Sequence, residues 1–124
     1  MRRSMLGPLS SSLIWLAFPA AAQNVANQYT SSAYQQTCSN VAPKMTIANF
    51  DEGNCLGFFA GVATTLSVVH STFKQPSLFC PPDAYSLGEG IDIWQKWLRD
   101  HPEQLQLAAA YTFIVSQEVA FPCK

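Results

Sequence analysis

Apolar residues recur at alternating steps of four and three along residues 49–72 of this chain. This spacing follows the 3.6-residue period of an α-helix that buries one face. The stripe comprises Cys55, Phe59, Val62, Leu66, Val69 and Phe73. Residues 53–73 contain no formal charge, but seven of these 21 residues are polar, which would be costly in a helix facing lipid. The pattern therefore predicts a central core helix instead of a membrane span.

Another side of the same helix has almost no side-chain bulk, at Gly57, Gly61 and Thr64. Each glycine in a helix costs about 1 kcal/mol relative to alanine, which suggests that something packs closely there. The favoured interpretation is another helix of the same subunit, and the alternative is a ligand cleft.

A second helix is predicted over residues 87–100. Ser86 and Glu89 have the spacing of a capping box, in which each side chain satisfies a backbone donor at the helix start. An apolar arc of about 160° on this helix includes Trp94 and Trp97. These two tryptophans fit either the core or a surface that a second subunit covers.

His101 and Pro102 end this helix, because a residue before proline is pushed out of helical geometry. Asp100 and Glu103 are then candidate caps for a last helix that runs to about Ala120. Its predicted inner face consists of Tyr111, Ile114, Val115 and Val119.

The remaining segments lack this helical period. Residues 23–32 are expected to form a loose polar arm that leads into a short helix near residues 32–38, and residues 39–47 are predicted to form a connecting loop. Residues 74–85 contain three prolines and Cys80, which predicts a rigid, non-helical loop. The fold class is therefore all-α, a small bundle of about four helices.

The N-terminus has the layout of a signal peptide. Arg2 and Arg3 precede an uncharged run with an apolar centre at residues 13–18, and three alanines at 20–22 supply the small residues for cleavage. The apolar centre is too short for a membrane anchor, which needs roughly 20 residues. We expect residues 1–22 to be removed before Gln23 by the general secretion route, and the protein to reach the periplasm. Residues 23–48 and 49–124 then form a single domain.

Without Arg2 and Arg3 the chain has five basic side chains against eight acidic ones, with no basic cluster. Nucleic acid and anionic membranes are therefore poor partners.

The four cysteines, an even number in an exported chain, predict two disulfides. If successive helices alternate in direction, Cys38 lies near Cys55 at one end of the bundle and Cys80 lies near Cys123 at the other. Each link would contribute about 3 to 4 kcal/mol. The closest two cysteines are 17 positions apart, which is not the spacing of a zinc site, and no cofactor or metal is expected.

The sequence shows no paired-carboxylate motif, phosphate loop or nucleophile elbow. We therefore expect a protein that binds a partner and is not an enzyme.

Four blocks of sequence, at similar intervals, resemble the signatures of the Rap/Tai family, the immunity proteins against amidase effectors of type VI secretion. The blocks are residues 55–62 (CLGFFAGV), 79–82 (FCPP), 98–103 (LRDHPE) and 120–123 (AFPC). The resemblance covers residues 50–123 approximately. One departure is that Thr64 and Thr65 stand where family members often have an acidic residue.

The resemblance implies a periplasmic, all-helical, usually dimeric inhibitor that blocks the active-site cleft of a peptidoglycan-cleaving cysteine amidase. A loop held by a disulfide loses little conformational entropy when it enters a cleft. The candidate contact residues in that loop are Pro81, Pro82, Asp83, Tyr85 and Ser86. Tyr85 is the expected anchor, and the alternative is a loop that only positions Cys80.

A second hypothesis is a small helical periplasmic chaperone of the acid-stress type, which also combines a helical bundle with disulfides. A chaperone should loosen at low pH and protect unrelated proteins from aggregation, whereas an immunity protein should stay folded and bind one partner. With two histidines in the chain, an acid switch would depend on carboxylates.

Overall fold

A computed structural model describes residues 29–41 and 49–124. The predicted signal peptide, most of the polar arm and most of the loop at residues 39–47 lie outside the described residues. The described chain forms four α-helices and a 3₁₀ turn and contains no β-strand, so the all-α prediction is confirmed. The helices are α1 (Ser31–Thr37), α2 (Phe50–Phe73), α3 (Leu87–Asp100) and α4 (Ala109–Ala120), and the 3₁₀ turn is Pro102–Gln104.

Local side-chain and backbone hydrogen bonds set the start of α2 and α3 and the end of α2. Asn49 caps α2 by accepting the backbone N–H of Glu52 at 3.0 Å. Ser86 caps α3 by accepting the N–H of Glu89 at 3.2 Å, which is one of the two hydrogen bonds that the capping-box spacing predicts. At its other end α2 stops at Lys74, which has a left-handed backbone (φ 56°) and donates its N–H to the Val69 carbonyl.

Three large aromatic side chains from three helices form the centre of the core. Phe59 of α2, Trp94 of α3 and Phe113 of α4 are all fully buried. The ring centroid of Phe59 lies 4.7 Å from that of Trp94 and 4.7 Å from that of Phe113. Trp94 is thus a core residue. Trp97 packs partly buried against the core and stacks on the His101 ring at 4.2 Å.

Polar side chains fill the inner face of α4. Thr112, Ser116 and Gln117 are buried beside Ala109 and Phe113. Tyr111 is 56% exposed and Val119 is 68% exposed, so the predicted inner face is wrong at these two positions, whereas Ile114 and Val115 are partly buried. The prediction failed because the buried polar groups have partners inside the fold. The Thr112 hydroxyl accepts the indole N–H of Trp94 at 2.9 Å and lies 2.7 Å from the Ser31 hydroxyl.

The segment that leads into α1 is tied to the segment that precedes α4. Ser31 donates its backbone N–H to the Leu107 carbonyl at 2.8 Å, and Ala109 donates to the Tyr29 carbonyl at 2.8 Å. The Ser31 hydroxyl also donates to Leu107 at 3.0 Å. These bonds hold α1 against α4 and close one side of the core.

Helix α2 extends beyond the core. Cys55 and Phe59 of its predicted stripe are fully buried, whereas Phe73 is 65% exposed. Among the described helices, α2 is long and apolar enough to cross a membrane by length and composition alone, and 11% of its most apolar window is buried. The prediction of a central core helix therefore holds for its first half only.

Among residues 29–41 and 49–124, none packs against the small-residue side of α2. Gly57 and Gly61 are exposed, and a Cβ atom added to either glycine would meet nothing within 4 Å. None of the described helices packs against this strip, contrary to the expectation that another helix of the same subunit would. A helix period shows which residues share a face, but it does not show whether a neighbour covers that face.

Two disulfides join the four cysteines, Cys38 to Cys55 and Cys80 to Cys123, so none of them is a free thiol. This is the pairing expected from alternating helix directions. The sulfurs of the first disulfide belong to residues that are completely buried, whereas Cys80 and Cys123 are exposed.

Candidate partner-binding loop

The connection between α2 and α3, residues 74–86, is non-helical, as its prolines predict. Its second half, residues 81–86, is termed the candidate loop. Within it the backbone N–H of Tyr85 donates to the Pro82 carbonyl at 2.9 Å, which closes a tight turn. Pro82, Asp83 and Ala84 lie exposed at the tip of this turn.

Cys80 fixes the start of the candidate loop to the end of the chain. Its sulfur is bonded to Cys123, and its backbone N–H donates to the Phe121 carbonyl at 2.8 Å. The loop therefore has a covalent and a hydrogen-bonded attachment immediately before its first residue.

Tyr85 fixes the other end of the candidate loop to α4. Its hydroxyl donates to Oε1 of Gln117 at 2.8 Å, and its ring meets the ring of Phe121 edge-on at 5.4 Å. Burial raises the pKa of Tyr85 to about 12, and the nearby Glu89 carboxylate adds to this effect. The hydroxyl is therefore a neutral donor at physiological pH, and it points into the protein.

Gln117 is the fully buried residue that receives Tyr85. Its amide nitrogen donates to the Gly90 carbonyl at 3.0 Å and lies 3.1 Å from the Ser116 hydroxyl. A Cβ atom at Gly90 would collide with the Tyr85 hydroxyl, so a larger residue there would displace Tyr85 from Gln117. Sequence reasoning missed both residues. The sequence signal that could have indicated this crossing is the pair of glycines, Gly88 and Gly90, close after the cap of α3. Both are buried in the structure.

The five residues predicted to contact a partner therefore divide by geometry. Tyr85 and Ser86 use their side chains within the protein, on Gln117 and on the N–H of Glu89. Pro82 and Asp83 are exposed at the tip, and Pro81 is partly buried. The tip presents one charged group, the Asp83 carboxylate, on a turn that is held at both ends.

An apolar groove of about 610 Å³ lies beside the candidate loop. One wall is the second half of α2, from Ala63 to His70. The other wall is the connection that follows, from Gln75 to Pro81. The main apolar lining residues are Ala63, Leu66, Val69, Leu78, Phe79 and Pro81. The groove thus reaches Pro81, the first residue of the candidate loop.

In the described parts of the chain, no group of three or more His, Cys, Asp or Glu side chains is placed to hold a metal ion. Trp94 and Trp97, considered for a subunit interface, lie on α3 in the core and at its edge. What the described chain offers is a shaped surface with a preformed turn, a property typical of binding proteins.

The fold and the loop define a small, disulfide-linked helical protein that presents a rigid surface loop. The family model of the Rap1a immunity proteins matches residues 25–123, and the chain belongs to this family. No curated protein and no solved structure matches the chain. Family membership indicates an immunity function exercised by binding a secreted effector, and proteins of this family are typically exported and not enzymes.

Proposed function

We propose that this protein is a periplasmic immunity protein that binds and inhibits a peptidoglycan amidase effector of type VI secretion and so protects the producing cell. It would be exported with a signal peptide at residues 1–22 and act as a homodimer. The observation that carries the proposal is the family match over residues 25–123.

The candidate loop supports inhibition by insertion into a cleft. A segment that is already ordered loses little conformational entropy on binding, so more of its contact energy becomes affinity. Cys80 and Tyr85 supply that order from the two ends of the turn. We therefore assign the contact role to Pro82 and Asp83 at the tip, while Tyr85 and Ser86 hold the tip in place.

Asp83 suits the active-site cleft of an amidase because its carboxylate accepts hydrogen bonds. A catalytic cleft of this class offers N–H donors and a histidine that can carry a positive charge. A carboxylate on a rigid turn can meet such groups without rearrangement of the loop.

The direct experiment is co-purification from the periplasm of the producing cell, followed by mass spectrometry to identify any cysteine amidase that binds. We expect a stable complex in which hydrolysis of peptidoglycan is suppressed. An amidase that retains full activity at a saturating concentration of this protein would contradict the proposal for that pair.

Loop variants test which residues make the contact. Asp83→Ala should weaken the amidase complex by roughly 10-fold or more, because a charge-assisted hydrogen bond contributes about 1.5 to 3 kcal/mol. Asp100→Ala is the matched control, since it removes an exposed aspartate from the last turn of α3. Equal affinities for both variants, measured by isothermal titration calorimetry, would remove the tip from the interface.

Tyr85 is tested separately because its role is to position the tip. Tyr85→Phe keeps the ring on Phe121 and removes the bond to Gln117. We expect a smaller loss of affinity than for Asp83→Ala, with a slower association rate as the loop becomes less ordered. A loss larger than that of Asp83→Ala would make the Tyr85 hydroxyl itself a contact group.

Export is tested by intact-mass spectrometry of periplasmic protein. The expected mass is that of residues 23–124 with two disulfides. A mature chain that begins at Met1 would contradict the signal-peptide assignment.

A further inference from the structure

The disulfide between Cys80 and Cys123 joins the candidate loop to the end of the chain. Both cysteines are exposed, and Cys80 is followed directly by Pro81, the first residue of the candidate loop. Cys123 lies beyond the end of α4 at Ala120, in a tail whose residues from Pro122 onward are exposed. The bond therefore links two surface segments, and neither of its cysteines belongs to the buried core.

Two weaker contacts also hold this end of the candidate loop. The backbone N–H of Cys80 donates to the Phe121 carbonyl at 2.8 Å, and the Cys123 sulfur lies 3.6 Å from the Ser77 carbonyl oxygen. A backbone hydrogen bond close to the surface opens in local fluctuations, whereas a covalent bond does not. The disulfide is therefore the contact that makes the start of the candidate loop rigid.

The rest of the fold has its own attachments. The second disulfide, Cys38 to Cys55, is completely buried and joins the end of α1 to α2. The three aromatic rings at the centre of the core pack on one another. Tyr85 holds the other end of the candidate loop through Gln117. Opening the exposed disulfide would leave all of these contacts in place.

We propose that Cys80 and Cys123 form a redox-sensitive clamp on the candidate loop. When the clamp is oxidised, the tip of the loop has the fixed shape that binds the effector. When the clamp is reduced, the loop is released and the helical core stays folded. The proposal rests on the export and the effector binding of the proposed function, and it adds a control of the same loop.

The reductant that opens the clamp is a dithiol. One thiolate of the dithiol attacks a sulfur of the clamp, which forms a mixed disulfide and releases the other clamp sulfur as a thiolate. The second thiol of the dithiol then breaks the mixed disulfide. In total, two electrons and two protons pass from the dithiol to the clamp. The clamp becomes two thiols, and the dithiol becomes a disulfide.

The difference in exposure separates the roles of the two disulfides. Exposed disulfides are the labile or regulatory ones, because a thiolate can reach their sulfurs. Thiols stay reduced in the cytoplasm and are oxidised in the periplasm. The clamp of the exported chain would thus close after transport, in the compartment where the effector acts. Binding activity would follow the redox state of that compartment, while the buried disulfide keeps the fold.

Amide hydrogen exchange tests the clamp without an effector. The mature protein is compared before and after treatment with dithiothreitol at a concentration that opens the exposed disulfide alone, as alkylation and mass spectrometry verify. The backbone N–H groups of Cys80 and Tyr85, which donate to Phe121 and Pro82, should exchange about 10-fold faster or more after reduction. Amides of the core helices α3 and α4 should change by less than about 2-fold.

Three results of this experiment would overturn the proposal. The first is unchanged exchange at Cys80 and Tyr85 after reduction. The second is an equal acceleration in α3 and α4, which would show that the bond holds the whole fold. The third is that no concentration of dithiothreitol opens the exposed disulfide before the buried one.

The double variant Cys80→Ser/Cys123→Ser is the matched control, because its clamp is permanently open. Its loop amides should exchange as fast as those of the reduced wild type, and dithiothreitol should have no further effect on them. Reoxidation should restore slow exchange in the wild type and change nothing in the variant. A variant whose loop amides match the oxidised wild type would contradict the clamp. The reduced wild type provides the same comparison if the variant does not fold.

The amidase that co-purifies with the protein tests the effect on binding. We expect the double variant to bind it with a Kd about 10-fold higher or more than the wild type, because the released tip must be ordered again on binding. Asp83→Ala should then cost less affinity in the double variant than in the wild type, since the tip is no longer held in position. Equal Kd values for the double variant and the wild type would overturn the proposal.

Failure of the clamp can be told apart from failure of the proposed function. Loop exchange that is unchanged by reduction, together with tight amidase binding in both redox states, would remove the clamp and leave the immunity function intact. Loop exchange that follows the redox state, in a protein that binds no amidase in either state, would support redox control of the loop and contradict the immunity assignment.

Discussion

Gln117 joins three parts of the protein through one side chain. Its oxygen accepts the Tyr85 hydroxyl, and its nitrogen donates to Gly90 and approaches Ser116. The side chain is fully buried, so each of these bonds replaces one that water provided in the unfolded chain. At this position hydrogen-bond satisfaction, not hydrophobic burial, determines which residue fits.

Tyr85→Phe should therefore destabilise the protein, because it leaves Oε1 of a buried amide without its donor. The expected loss is about 1 to 3 kcal/mol in the free energy of unfolding, measured by urea denaturation. Tyr111→Phe is the matched control. Because Tyr111 is 56% exposed, loss of its hydroxyl should change the free energy of unfolding little. Equal stability of the two variants would show that the bond to Gln117 contributes nothing net.

Alkaline pH should also weaken the fold through Tyr85. Its pKa is raised from 10.0 to about 12, so between these values the folded chain keeps a proton that the unfolded chain releases. Stability from this group is complete below pH 10 and is lost as the pH rises toward 12. After solvent screening of this half-buried group, the loss is about 1 kcal/mol. Thermal unfolding of wild type and Tyr85→Phe from pH 9 to 11.5 should show a steeper decline for the wild type.

At the scale of elements, α4 shows where sequence periodicity fails. The polar residues Thr112 and Gln117 face inward because Trp94, Ser31 and Tyr85, all distant in sequence, supply their hydrogen bonds. No local pattern reveals such partners. The start of α3 was predictable because Ser86 and the N–H of Glu89 lie within one turn of each other. The non-helical conformation of the candidate loop was likewise predictable, because Pro81 and Pro82 lie within it.

The buried hydroxyl of Thr112 provides a test of this account. Thr112→Val keeps the shape but leaves the Trp94 indole N–H without its acceptor, which should cost about 1 to 3 kcal/mol. Thr64→Val makes the same change at an exposed position of α2 and should be close to neutral. The comparison is made by denaturant unfolding, and a stabilised Thr112→Val variant would contradict the importance of the polar contact.

At the scale of the whole molecule, two disulfides stand in opposite environments. Cys38 and Cys55 have no exposed surface, whereas Cys80 and Cys123 are exposed next to the candidate loop. The number of cysteines and the order of the helices were enough to predict this pairing. The difference in exposure was not predictable, because it depends on how far α2 extends past the core.

Reduction under native conditions should therefore proceed in two steps. A small dithiol should open Cys80–Cys123 first, because thiolate attack requires access to a sulfur, while Cys38–Cys55 should open only with unfolding. Alkylation at timed intervals followed by peptide mass spectrometry measures the order. Labelling of Cys38 and Cys55 first, or all four cysteines together, would contradict the difference in shielding.

Neither disulfide crosses Lys74, the exposed residue with the left-handed backbone where α2 ends. A trypsin cut after Lys74 would thus leave one cystine in each fragment and no covalent bond between them. The fragments would be held together by the packing of Phe59 against Trp94 and Phe113, and by the hydrogen bonds between the segment before α1 and the segment before α4. We therefore expect the two fragments, each with its own disulfide, to reassemble when they are refolded separately and mixed.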